Sequence, residues 1–320
     1  MNLRRWRWTT PALAGVVACV LLLAGCATPP QLARLQRDWP PSLPDQIVLE
    51  QVPFHAQDDF LCGPATLAMV AQAAGSTVTP EALTPQVYLP GRQGALQLEM
   101  LAAARRQGLV AYPLAPTLDA VLAEVASGHP VLVLLNLSLP VRPMWHYAVV
   151  MGYDREQGEI LMHSGTTPRM PVSLSTFERM WARSDHWAFR VTPPQRLPVT
   201  AEATSWAVAV AALERVDPGA AQAAYVAALD AWPGHRISLL GLGNTAYALG
   251  QREQASRAYE ATTSAYPDFA DAWHNLAQVR WELGRLPAAR AAAREAVKLG
   301  GPRLAVYQTL LKKIEATKPR

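Results

Sequence analysis

The C-terminal third of the chain is written twice over. Laying 236-RISLLGLGNTAYALGQREQASRAYEATTSAYPDF-269 over 270-ADAWHNLAQVRWELGRLPAARAAAREAVKLGGPR-303 pairs Leu239 with Trp273, Leu242 with Leu276, Gly243 with Ala277, Gly250 with Gly284 and Ala255 with Ala289. One period earlier, Ala209, Ala221, Tyr225 and Pro233 stand at the matching places. Small residues at fixed places let two helices cross closely. The turn Leu-Gly-Gln/Arg closes each hairpin, and proline ends the second helix. One such pair cannot bury its apolar face alone, so the copies must stack. Residues 202–318 are therefore expected to form an all-α array of about three helical hairpins, with 304-LAVYQTLLKKIEATK-318 as a capping helix.

This pattern resembles the tetratricopeptide repeat. The resemblance implies a concave face for a peptide or protein partner, which nothing in the repeats names. The word 241-GLGNTA-246 has no strand before it and falls inside a repeat helix, so it is not read as a nucleotide loop.

The other end is equally patterned. Arg4, Arg5 and Arg7 precede an apolar run that closes on Leu23-Ala24-Gly25-Cys26. A charged start, a short apolar stretch and small residues before the cut describe a secretory signal over 1–25, not a spanning helix. The closing LAGC resembles the lipobox of bacterial lipoproteins. That implies cleavage before Cys26, acylation of Cys26 and a membrane-tethered chain. Ala27 is not acidic, which under the same resemblance points to the outer membrane, facing the periplasm. Removing the three arginines leaves 26 basic against 25 acidic residues. Charge thus argues for neither nucleic acid nor an anionic membrane surface as partner.

Two proline-rich joints bound the middle. The stretch 27-ATPPQLARLQRDWPPSLPDQ-46 carries five prolines and is expected to be an extended tether over 26–46. The second joint, 192-TPPQRLPVT-200, gives a linker over 194–201. Residues 47–193 between them suit a single domain. Helices are expected at 64–75, 96–108, 117–128 with Thr117 as N-cap, and 174–181. Strands are expected at 109–115, 130–139, 146–154, 159–165 and 187–191, the third and fourth joined by a hairpin over REQG. The loop 89-LPGRQGAL-96, with Gly91 and Gly94, suits a mobile cover over a cleft and equally any surface loop. Helices first and an antiparallel sheet later make an α+β domain.

Three cysteines occur in the chain. Cys19 lies in the signal and Cys26 would carry lipid, so Cys62 is the one thiol left and no disulfide framework exists. Cys62 stands where the backbone turns into a helix, ahead of Gly63 and Pro64. Unpaired amides and the helix dipole favour a thiolate there, and the thiolate is the nucleophilic form. Gln57 is placed to lend an amide to an oxyanion hole beside the N–H of Cys62. His146, opening a strand, is the base that could face it. The other histidines read as ordinary core or surface residues. No His-x-x-x-His pair, cysteine cluster or acidic loop points to a metal, and no cofactor is expected.

The stretches 52-VPFHAQDDFLCGPATLAMVAQAAG-75, 121-VLAEVASGHPVLVLLNL-137 and 145-WHYAVVMGYD-154 resemble the papain-like cysteine peptidases that clip double-glycine leaders from bacteriocins. The resemblance implies Cys62 as nucleophile, His146 as general base and Gln57 as oxyanion donor, acting on a peptide substrate. It breaks at the third member. The family has an Asp-Pro pair after the hairpin, whereas this chain has 160-ILMHSG-165, which leaves His163 or Ser164 in the place. Asp154 and Asp185 are the conceivable carboxylate substitutes. The expectation is a lipid-anchored cysteine peptidase with a repeat domain for protein binding. The alternatives are a non-catalytic binding module of the same fold and a thiol acyltransferase.

Overall fold

The structure, a computed structural model, describes residues 28–56 and 60–318. The chain opens with helix α1 (Pro30–Arg37) and strand β1 (Gln46–Val48). Then follow α2 (Cys62–Ala73), α3 (Pro80–Val87), the short ribbon β2 (Tyr88–Leu89) and β3 (Gly94–Ala95), and α4 (Gln97–Arg106). Next come β4 (Val110–Pro113), α5 (Leu118–Ala126), β5 (Val131–Asn136), β6 (Trp145–Asp154) and β7 (Glu159–Ser164). The unit ends with β8 (Thr167–Ser173), α6 (Leu174–Ala182) and β9 (Ala188–Thr192).

Seven strands form one antiparallel sheet in the order β4-β9-β5-β6-β7-β8, with β1 also paired to β6. Alternation along each strand sorts side chains to opposite faces. Val131, Val133 and Leu135 of β5 join Ala148 and Val150 of β6 in a core covered by α5 and α6. Leu132 and Leu134 join Tyr147, Val149 and Met151 in a second core covered by α2, α3 and α4. Both faces of β5 are therefore buried, which is why its sequence reads as an unbroken apolar run.

Residues 26–46 do not form an extended tether throughout. Pro30 sits at the first helical turn, where its missing N–H costs nothing. Leu32 and Leu35 are buried in the first core. Glu178 of α6 accepts the free N–H groups of Gln31 and Leu32 at 2.9 and 2.7 Å. Trp39 then packs edge-on to Tyr153. The globular unit thus begins near residue 30, before the expected boundary at 47. Strand β1, helix α3, the β2–β3 ribbon and strand β8 also carried no expectation. Helix α3 has a proline inside it. The ribbon β2–β3 has only two residues per strand. Strand β8 bears Pro168 and Pro171, which an edge position tolerates.

The repeats form α7 (Ala203–Glu214), α8 (Pro218–Ala231), α9 (Arg236–Ala248), α10 (Arg252–Ala265), α11 (Ala270–Glu282), α12 (Leu286–Leu299) and α13 (Leu304–Ala316). Gly241 and Gly243 sit against the rings of Tyr225 and Tyr259. A Cβ on either glycine would come within 2.4 Å of ring carbon. The glycines of GLGNTA are therefore helix-crossing points, as a repeat requires.

Candidate active site

Helix α2 begins at Cys62 itself. Thr66 donates to the Cys62 carbonyl at 2.6 Å and fixes the first turn. Gly63 is dictated by the β2–β3 ribbon, since a Cβ there would stand 2.6 Å from the Cβ of Ala95. Tyr147 donates its hydroxyl to the Ala95 carbonyl at 3.2 Å, so the ribbon is tied to both the cysteine helix and the central strand. The loop expected to cover a cleft does so as this ribbon.

Cys62 and His146 line one cavity of about 850 Å³. Tyr147, next to His146 on β6, turns its backbone N–H to the Cys62 sulfur. The N–H groups of Cys62 and Gly63 also point at it. On its other side, His146 Nε2 meets Ser164 Oγ at 2.9 Å. In the tautomer that leaves Nδ1 free to take a proton, Nε2–H donates to Ser164. Of the two residues expected at the third place, Ser164 is the one in contact with this imidazole.

His163, the other candidate for that place, is engaged elsewhere. Its Nδ1 accepts the N–H of Arg169 at 3.1 Å, its Nε2 lies 3.3 Å from the Val52 carbonyl, and its ring packs on Phe54. It pins the β7–β8 turn to the segment before α2. Asp154 sits at the opposite end of β6 from His146 and accepts the N–H of Gln157. Asp185 lines the cavity but is not the partner of His146 Nε2. Gln57 and Cys26 lie outside the described residues.

Burial governs the electrostatics. It pushes the Cys62 thiol above its ordinary value of 9.0, and the N–H groups of Tyr147, Gly63 and Cys62 pull only part of the way back. Burial pushes His146 below its ordinary value. Both shifts run toward the uncharged forms, thiol and neutral imidazole. The helix-start amides, expected to favour a thiolate, act in that sense, and desolvation is the larger opposing influence.

The rim was not legible as function. Phe60, Met144 and Trp145 stand more than half or about half exposed beside the cavity, at 50, 61 and 53 %. Buried Asn136 accepts the N–H groups of Ser138 and Met144 and so shapes the loop that carries Met144 and Trp145. Apolar residues in an unassigned loop give no sequence signal of their own. Among the described residues no group of histidine, cysteine and carboxylate side chains could hold a metal ion. None of their helices is long and apolar enough to cross a membrane.

Residues 49–188 match the profile of the Peptidase_C39 like family. The N-terminal α+β unit thus resembles that family. Residues 207–251 and 240–303 match the tetratricopeptide repeat. A crystal structure described as a C39-like peptidase from Bacillus anthracis is similar at 18 % identity and a TM-score of 0.40, covering 47 % of this chain and 98 % of its own. The first TPR of Spaghetti bound to the HSP90 peptide SRMEEVD is similar at 15 % identity and a TM-score of 0.33, covering 37 and 95 %. No curated protein matches the chain. The chain thus joins a C39-like domain to tetratricopeptide repeats.

Proposed function

We propose that the chain is a cysteine peptidase of the bacterial envelope, with Cys62 as nucleophile, His146 as general base and Ser164 as the residue that orients the imidazole. The observation that carries this reading is that Cys62 and His146 line one cavity while Ser164 Oγ lies 2.9 Å from His146 Nε2. As substrate enters, the thiol proton passes to His146 Nδ1 and sulfur bonds to the peptide carbonyl carbon. The oxyanion faces the N–H of Cys62, with Gln57 as the second donor. The C–N bond then breaks, the amine leaves with the proton from His146, and a thioester remains. Water, deprotonated by His146, hydrolyses it to the acid and restores the thiol. A proton moves with each step, so a neutral resting pair can run the cycle.

Anchoring through Cys26 at the outer membrane is part of the proposal and rests on the LAGC pattern. Because α1 starts at Pro30, the acyl chains would hold the domain close to the bilayer rather than on a long leash.

The second reading, a non-catalytic binding module, is favoured by one observation: burial raises the thiol and lowers the imidazole instead of forming an ion pair. One experiment separates the two. The full chain is incubated with a peptide library and the products read by mass spectrometry, beside Cys62→Ala and His146→Ala variants. Peptidase activity requires products that vanish in the first variant and fall by at least about a hundredfold in the second. Products undiminished in Cys62→Ala, or absent throughout, overturn it.

A further inference from the structure

A second cavity, of about 290 Å³, opens in the repeat array. Its wall holds Glu214 at the end of α7, Asn244 and Tyr247 on α9, Tyr259 on α10, and His274 and Asn275 on α11. The hydrogen bonds across it run one way. Tyr259 and Asn275 both donate to Asn244 Oδ1, at 2.9 and 3.1 Å, which uses both lone pairs of that carbonyl. The Asn244 amide is thereby turned to donate to Glu214, and Tyr225 donates to Glu214 Oε2 at 3.1 Å. Glu214 is the terminal acceptor of the network.

No fixed cation answers it from the wall, for neither lysine nor arginine lines the cavity. Arg252 lies over the Tyr247 ring but is paired with Glu282 at 2.6 Å. Arg215 follows Glu214 in sequence and draws its carboxyl down, though burial prevails and holds it up. The buried Nδ1 of His274 has no hydrogen-bond partner among the described residues. A carboxylate and two tyrosine rings on the wall complement a group that brings both hydrogen-bond donors and positive charge.

We propose that this cavity binds a primary ammonium group of a peptide partner, from a lysine side chain or a free N-terminus, with Glu214 as counter-ion. The proposal rests on the reading that the repeats bind a protein, and it names the chemistry they read. An acidic residue seated there would face Glu214 without compensation.

The test uses the full chain carrying Cys62→Ala, so that no peptide can be cleaved at that thiol. Short Gly/Ser peptides are titrated while the side-chain amide signals of Asn244 and Asn275 are followed by NMR. One peptide carries a central lysine with blocked termini, one a free N-terminus without lysine, and one a central glutamate with blocked termini. Saturable shifts with the first or the second support the proposal and identify the source of the ammonium. Glu214→Gln should weaken that binding by about tenfold or more while the folded spectrum is kept. Equal affinity in Glu214→Gln, or shifts caused by the glutamate peptide alone, overturns the ammonium assignment and leaves peptide binding by the repeats standing. Absence of shifts with every peptide overturns the proposal and the peptide-binding reading of this face together. Neither result bears on the peptidase reading, which is tested at Cys62.

Discussion

Ser164 does for His146 what a carboxylate would do only in part: it fixes the ring without charging it. A neutral hydroxyl accepts the Nε2–H but adds no field that favours imidazolium. Two variants follow. Ser164→Ala should lower kcat/KM by roughly tenfold, the worth of one orienting hydrogen bond, with folding unchanged. Ser164→Asp should act on the pH profile instead. The thiol is raised and the imidazole lowered in the parent, so alkylation of Cys62 should climb with pH, through and beyond 9.0, the ordinary thiol value. A carboxylate on Nε2 stabilises the imidazolium, which in turn stabilises the thiolate, so the climb should begin at lower pH. Alkylation rates measured against pH for the parent and both variants check this; coincident profiles for parent and Ser164→Asp would sink the assigned role. The sequence singled out Cys62 and His146, which line one cavity, but could not choose between His163 and Ser164. Adjacent strand residues face opposite ways, and the register of β6 against β7 shifts between Val150 and Gly152. Such an irregularity changes which residue meets the imidazole and leaves no pattern in composition.

At the scale of elements, the sheet is covered on both faces. On one side Gly63 lets the β2–β3 ribbon lie against the cysteine helix. Gly63→Ala sets two Cβ atoms 2.6 Å apart, and Ala95 stands on backbone tied to Tyr147. The expected cost is about 1–3 kcal/mol of stability, from overpacking. A larger loss of activity than of stability is expected too, because the ribbon lines the cavity; denaturant unfolding beside a rate assay checks both. On the other side, α1 is capped by Glu178. Glu178→Ala removes the acceptor of two helix N–H groups and should cost about 1–3 kcal/mol. Hydrogen exchange at Gln31 and Leu32 should quicken while exchange in α2 stays slow; unchanged protection at both amides would show the cap to be idle. Elements with strong periodicity or clear punctuation, such as the hairpin after Asp154 and the helix capped by Thr117, were legible in the sequence. Helix α1 was not, because its prolines read as linker although one of them sits where a helix tolerates it. Strand β8 was hidden likewise: an edge strand needs neither an apolar alternation nor freedom from proline.

At the scale of the whole molecule, the joint between the two units is built as core. Trp206 of α7 is fully buried, donates its indole N–H to the Ala224 carbonyl at 3.1 Å and packs on Tyr112 of β4. One continuous apolar cluster runs from the sheet, through Val110 and Tyr112, to Val210, Leu213 and Tyr225 of the first repeat. Buried Glu124 of α5 pairs with Arg190 of β9 and also accepts the N–H and hydroxyl of Thr200, at 2.9 and 2.6 Å. The expected linker is therefore locked at its end, and the first repeat is packed as part of the N-terminal unit. The later repeats have a core of their own, around Tyr259, Leu276 and Ile314. Cooperativity should follow this partition. Heating should melt the sheet and the first repeat together, since neither can expose its half of the shared cluster alone. Trp206→Ala deletes the side chain that bridges them and should cost about 3–5 kcal/mol. Calorimetry is expected to show the repeat array melting ahead of the sheet in the variant, with the near-ultraviolet signal of Trp181 and Phe177 outlasting the loss of helix. A variant that keeps the parent's transitions, merely shifted together to lower temperature, would mean that the units are coupled through Glu124 and Thr200 rather than through the apolar seam.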